Sequence, residues 1–135
     1  SPQTLLAQYS VQRPKVIRAA GFVVEDEAGK ARAALTVSSE GSLLALSDEQ
    51  GNIRAMLRLD KDGPLLELRD EKGKPRAQQR VNKKGPELSL RDENLKIRAA
   101  LGATTVTTVD GKQTSWPESS LLLFGPDGEI CWQTP

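Results

Sequence analysis

The chain has 135 residues, 37% hydrophobic and 27% charged, and its 19 basic and 18 acidic side chains leave a net charge of +1. That length suffices for one domain with its own core, and the composition is unlike that of a disordered chain. Balanced charge without a long run of one sign argues against a dedicated nucleic-acid or membrane-surface binder.

Residues 1–15, SPQTLLAQYSVQRPK, show no regular alternation and read as an N-terminal arm or linker closed by Pro14. Residues 16–135 read as a single β-repeat domain. VIRAA at 16–20 echoes NIRAM at 52–56, so the first strand is expected to begin there. A repeat then dominates the chain. Asp26, Asp48, Asp70 and Asp92 follow one another at intervals of 22 residues, and so do Arg32, Arg54, Arg76 and Arg98. Gly29, Gly51 and Gly73 keep the same step, which Leu95 breaks; Gly41, Gly63 and Gly85 form a second glycine column half a repeat away.

Within each unit apolar residues alternate with polar ones, as in Leu44/Leu46 before Asp48 and Ala55/Leu57/Leu59 after Arg54. Alternation with period two between glycine-bearing turns predicts half-buried antiparallel strands. Each unit is therefore two strands and two short turns, DEKGK-like and DKDGP-like. Near residues 108–120 an inserted loop, containing VDGKQTSWPESS, interrupts the pattern. The pattern resumes in LLLFGPDGEICWQTP, where Gly125 takes the aspartate column, Cys131 the arginine column and Trp132 the column of Ala33.

The expected fold class is all-β, a repetitive antiparallel hairpin meander. Its apolar face must be covered, by curling into a barrel, by folding into two sheets, or by copies of itself. Small alanine columns and an aromatic content of only 4% suggest a narrow interior. Gln79, standing in a leucine column, is easiest to place near a symmetry axis. We favour an intertwined homo-oligomer, a trimeric β-prism or solenoid, with a monomeric barrel or sandwich as the alternative.

Units of the form L-x-L-x-D-x-x-G-x-x-R-A-x-L, closed by LFGPDGEICWQTP, resemble a group of uncharacterised bacterial repeat proteins. The resemblance covers about residues 16–135. It implies bacterial origin and an upstream coiled-coil or membrane-anchoring segment that would place the protein at the cell envelope; it implies no activity. The chain starts at Ser1 without Met and is expected to be a processed or truncated product. No signal peptide is visible and no stretch reaches the ~18 apolar residues of a membrane span, so no membrane contact is expected within this segment.

Candidate chemistry is sparse. The lone Cys131 cannot form an intrachain disulfide, and one thiol without any histidine cannot build a zinc site. Asp60-Lys61-Asp62-Gly63 and Asp127-Gly128 lack the spacing of a calcium loop. Without histidine to activate Ser or Cys, and without a phosphate-cradling glycine loop, neither an enzyme nor a cofactor is expected. Arg32, Arg54, Arg76 and Arg98 are the candidate ladder for an anionic glycan or surface polymer. Recurrence in every unit instead favours turn hardware, with each aspartate holding turn amides and its arginine pairing beside it. Arg58, Arg69, Arg80 and Arg91, interleaved with Glu67 and Glu87, are expected on a solvated outer face. Trp116 beside Pro117 is the other candidate ligand residue, for stacking on a sugar or docking a protein partner; packing back over an open end of the sheet is the structural alternative. The reading is a non-enzymatic, self-assembling structural or interaction module, with an anionic-glycan binder as the alternative.

Overall fold

The computed structural model describes residues 16–107 and 111–134; the proposed arm at 1–15, residues 108–110 and residue 135 lie outside the described residues. Twelve strands follow in order: β1 (Gly21–Glu25), β2 (Ala31–Ser38), β3 (Gly41–Ser47), β4 (Ile53–Asp60), β5 (Gly63–Arg69), β6 (Pro75–Asn82), β7 (Gly85–Arg91), β8 (Ile97–Gly102), β9 (Thr105–Thr107), β10 (Gln113–Ser115), β11 (Leu121–Phe124) and β12 (Ile130–Gln133). Ten of them form one antiparallel sheet in the order β1-β2-β3-β4-β5-β6-β7-β8-β11-β12, and β9 pairs only with β10. The chain is thus an all-β hairpin meander, with no helix among the described residues.

The sheet stays open. β1 and β12 are its two edges, so it does not close into the alternative barrel, and the second sheet has only two strands. The expected strand at 16–20 is not formed; β1 starts at Gly21. Gly21 faces Thr36, and β2 ends at Ser38, which leaves residues 16–20 almost nothing to pair with. The insertion is also more than a loop: Gln113–Ser115 within it form β10, which pairs antiparallel with β9, the strand just before it.

Both predicted turns recur. At the end of β2, β4 and β6 a two-residue loop links paired residues, such as Asp60 and Gly63. A side chain on Gly63, at φ 108°, would run into the Val81 carbonyl of the next hairpin. At the other end, Gly73 N–H donates to the Asp70 carbonyl at 3.0 Å and Asp70 N–H to the Lys74 carbonyl at 3.0 Å. The same pair of bonds recurs at Asp26, Asp48 and Asp92, and at Gly125 in the closing hairpin. In that closing hairpin Leu123 pairs with both Ala99 and Trp132, so Trp132 does lie in the alanine row.

Burial within the chain does not follow the leucines. Most of the leucine face is exposed, from 39% at Leu123 to 69% at Val37, whereas Ala45, Met56, Leu65, Glu67, Ser89, Ala100 and Leu122 on the opposite face are buried. Two causes are visible. Long side chains flank shorter ones in register there: Met56 beside Ala45, Gln78 beside Ser89, and Arg58 and Arg80 on either side of Leu65. The inserted hairpin covers the far end, where Ala100, Val106, Leu122 and Phe124 form a cluster joined by Ile97, Trp116 and Ile130.

Candidate functional site

Strand alternation places every second side chain on one face, and the pairing registers align those of the leucine face into three rows. The first runs Val24–Ala33–Leu46–Ala55–Leu68–Ala77–Leu90–Ala99–Leu123–Trp132. The central row runs Phe22–Leu35–Leu44–Leu57–Leu66–Gln79–Leu88–Leu101–Leu121. The third holds Val37, Ser42, Leu59, Pro64, Val81 and Pro86. Gln79 is the only polar member of the central row, between Leu66 and Leu88.

Ten strands about 4.8 Å apart and three rows about 7 Å apart make a face of roughly 800 Å². The largest apolar patch on a monomeric protein is usually about 300–600 Å². A stable protein interface takes about 800 Å² from each partner. This face is therefore the size of an interface, and nothing within the described residues covers it.

The four candidate arginines are brought to one flank of the sheet, each beside its own aspartate. Arg32, Arg54 and Arg76 lie 3.2, 3.5 and 3.3 Å from Asp26, Asp48 and Asp70, and Arg98 lies 2.5 Å from Asp92. Each guanidinium also reaches the following hairpin. Arg32, Arg54 and Arg76 donate through Nε to the carbonyls of Ser47, Arg69 and Arg91, at 3.3, 3.1 and 2.8 Å. Arg98 donates to the carbonyls of Gly125 and Pro126.

Each aspartate in turn caps its turn. Asp70 Oδ1 accepts from the amides of Lys72 and Lys74, both at 3.0 Å, and the other three copies repeat this. These bonds hold all four carboxyls below the ordinary aspartate range. At Asp26 the Lys30 amide leads. At Asp48, Asp70 and Asp92 partial burial pulls the other way, and the turn amides and arginine outweigh it. The structure thus draws the arginine columns into the turn framework.

The outer-face residues are not uniformly solvated. Glu67 is 4% exposed; it accepts from Arg69 Nε at 2.6 Å and from the Gln78 amide on the neighbouring strand. Spacing in the sequence does not mark that cross-strand triad, whose members become neighbours only through the β5–β6 register.

Trp116 is half-buried. Its indole packs against the cluster of Ala100, Val106, Leu122 and Phe124, its backbone N–H donates to the Thr104 carbonyl at 2.7 Å, and its Nε1 is buried with no partner. Among the described residues its contacts are with that cluster rather than with the arginine columns. Cys131 is exposed and donates to the Leu123 carbonyl at 3.4 Å. Among the described residues no group of three or more Cys, Asp or Glu side chains is arranged to hold a metal.

Set beside protein-family models and curated proteins, the chain matches none of them.

Proposed function

We propose that this chain is a non-enzymatic structural or interaction module that self-assembles, its apolar sheet face being the contact between copies. The observation that carries the reading is the exposure of that face. About fifteen leucine, valine and phenylalanine side chains in adjoining rows stand at 39–69% exposure. Covering about 800 Å² of apolar surface supplies a gross driving force of roughly 20 kcal/mol per copy. That comfortably exceeds the usual entropic cost of association, about 4–15 kcal/mol.

A copy of the same chain is the occupant favoured by the face itself. From β2 to β7 it carries one repeating texture in all three rows, so a partner of equal length and equal period fits it. The alternative reading, an anionic-glycan or polymer site on Arg32, Arg54, Arg76 and Arg98, has less support, since each guanidinium already holds a carboxylate and a carbonyl. The resemblance to bacterial repeat proteins agrees with a structural role at the cell envelope.

Light scattering behind size exclusion tests the proposal. The expected result is a defined oligomer that Leu57→Asp, placed in the middle of the face, converts to a single chain. A wild-type mass of 14.7 kDa overturns it.

A further inference from the structure

The outer rows of the apolar face carry a size pattern that the central row lacks. On β3, β5 and β7 the first row has leucine and the third has serine or proline: Leu46 with Ser42, Leu68 with Pro64, Leu90 with Pro86. On β2, β4 and β6 the sizes are reversed: Ala33 with Val37, Ala55 with Leu59, Ala77 with Val81. Every one of these six strands therefore has one large and one small side chain at its flanks. Between them the central row is large throughout, Gln79 included.

We infer that three copies close around an axis running across the strands, with the first row of each against the third row of the next. This rests on the self-association proposed above. Rotation about such an axis brings the same strand of each copy to the same height, so Ala55 of one copy meets Leu59 of its neighbour. One level up or down Leu46 meets Ser42, or Leu68 meets Pro64. Every contact between flanks then joins a large side chain to a small one. A rotation that turned the rows end for end would set like rows against each other and lose this match.

The same pattern selects three sheets over two. Two sheets packed face to face keep a near-constant separation of about 10 Å, which asks for equal filling from flank to flank. Three sheets forming a triangular prism are farthest apart at the axis and converge at the corners. Large residues in the central row and large-with-small pairs at the flanks suit that taper. With sheets about 5–6 Å from the axis, each side of the triangle is roughly 17–20 Å wide, close to three rows of side chains. The Gln79 amides of the three copies then meet at one height on the axis, where each can donate to the next and leave no polar group unpaired.

Paired cysteines test this geometry. Ala55 and Leu59 of one chain are four residues apart on one strand, about 13 Å, too far for an internal disulfide, which needs Cα atoms within about 7 Å. In a Cys131→Ser background, Ala55→Cys with Leu59→Cys is expected to oxidise to a covalent ring of three chains, resolved by non-reducing electrophoresis and intact mass. Ala33→Cys with Val37→Cys repeats the test at another level should the first variant fold poorly. A covalent ring of two chains, or a wild-type-like oligomer that stays unlinked at both levels, overturns the three-fold closure while leaving self-association standing. A wild-type protein that is monomeric in light scattering removes self-association itself.

Discussion

Arg76 joins two hairpins through one guanidinium: its Nη1 lies 3.3 Å from Asp70 Oδ2 in its own turn, and its Nε donates to the Arg91 carbonyl of the next at 2.8 Å. Asp70 meanwhile accepts two amides of its own turn, those of Lys72 and Lys74, both at 3.0 Å. Removing the acid therefore strips the turn itself, whereas removing the base leaves the turn intact and loses a half-exposed ion pair and one bond to the next hairpin. Asp70→Ala is expected to lower the denaturation midpoint, because the Lys72 and Lys74 amides lose their acceptor. Arg76→Ala should cost less, about 0.5–1 kcal/mol. Urea denaturation of both variants checks the order, and equal losses would contradict it.

Acid should unfold the protein through the same columns. All four aspartates are held below the ordinary value of about 3.9 in the folded chain. A carboxyl depressed on folding contributes stability that is fully present above its unfolded value and is lost as pH falls through the folded one. Stability should thus be flat near neutrality and decline from about pH 4 downward. Asp70→Asn should weaken the protein at pH 7 and make the acid decline shallower. A wild-type denaturation midpoint unchanged between pH 5 and pH 2 would show that the columns carry no such linkage.

The repeat was legible because its signals are local. Period-two alternation, Asp70-to-Gly73 spacing and the paired columns all lie within a few residues of one another, and the meander and its turn bonds follow from them. Burial was not legible, because it depends on register. The expectation that Glu67 is solvated failed once β5–β6 pairing set Gln78 beside it. The covering of Ala100 and Leu122 depends on a strand pair whose second member, β10, lies in residues that read as a loop. That Trp116 packs back over an end of the sheet was one of the sequence alternatives, but its particular partners, in β8, β9 and β11, become its neighbours only through the fold.

Leu95 marks a place where one copy keeps the turn without its glycine. It sits at φ 66°, against 76°, 87° and 76° at Gly29, Gly51 and Gly73, and its N–H still donates to the Asp92 carbonyl at 3.0 Å. A left-handed conformation costs a side-chain-bearing residue about 1–2 kcal/mol. Glycine gives back part of that gain through the freedom it adds to the unfolded chain, about 0.5–1 kcal/mol. Leu95→Gly is thus expected to stabilise the fold by about 0.5–1 kcal/mol. A lowered denaturation midpoint would mean that the Leu95 side chain makes contacts worth more than the strain.

Trp116 separates packing from recognition. If its indole serves to seal the end of the core, Trp116→Ala should remove about 2–3 kcal/mol, somewhat less than the loss typical of a fully buried tryptophan. Trp116→Phe should restore most of that stability, because the Nε1–H it lacks is unpartnered in the native fold. The companion measurement is a screen of acidic glycans and polyanions against wild type and both variants. A ligand that binds wild type and is lost in Trp116→Ala with unchanged melting would transfer this residue from the core to a recognition site.

Gln79 is the last residue whose presence demands a cause, since leucine at that point would match Leu57, Leu66 and Leu88 in the central row. A polar side chain in an otherwise apolar contact lowers stability, yet it penalises every arrangement that leaves it facing hydrocarbon. If copies meet on this face in one register, Gln79→Leu should raise the melting temperature and broaden the oligomer distribution, because the penalty on shifted registers is gone. Gln79→Glu should act oppositely: like charges brought together at one height weaken the assembly at neutral pH and relax when acid neutralises them, which mass photometry at pH 7 and pH 5 can follow. An oligomer of unchanged size and melting temperature in both variants would place Gln79 outside the contact, with the rest of the face still available to hold copies together.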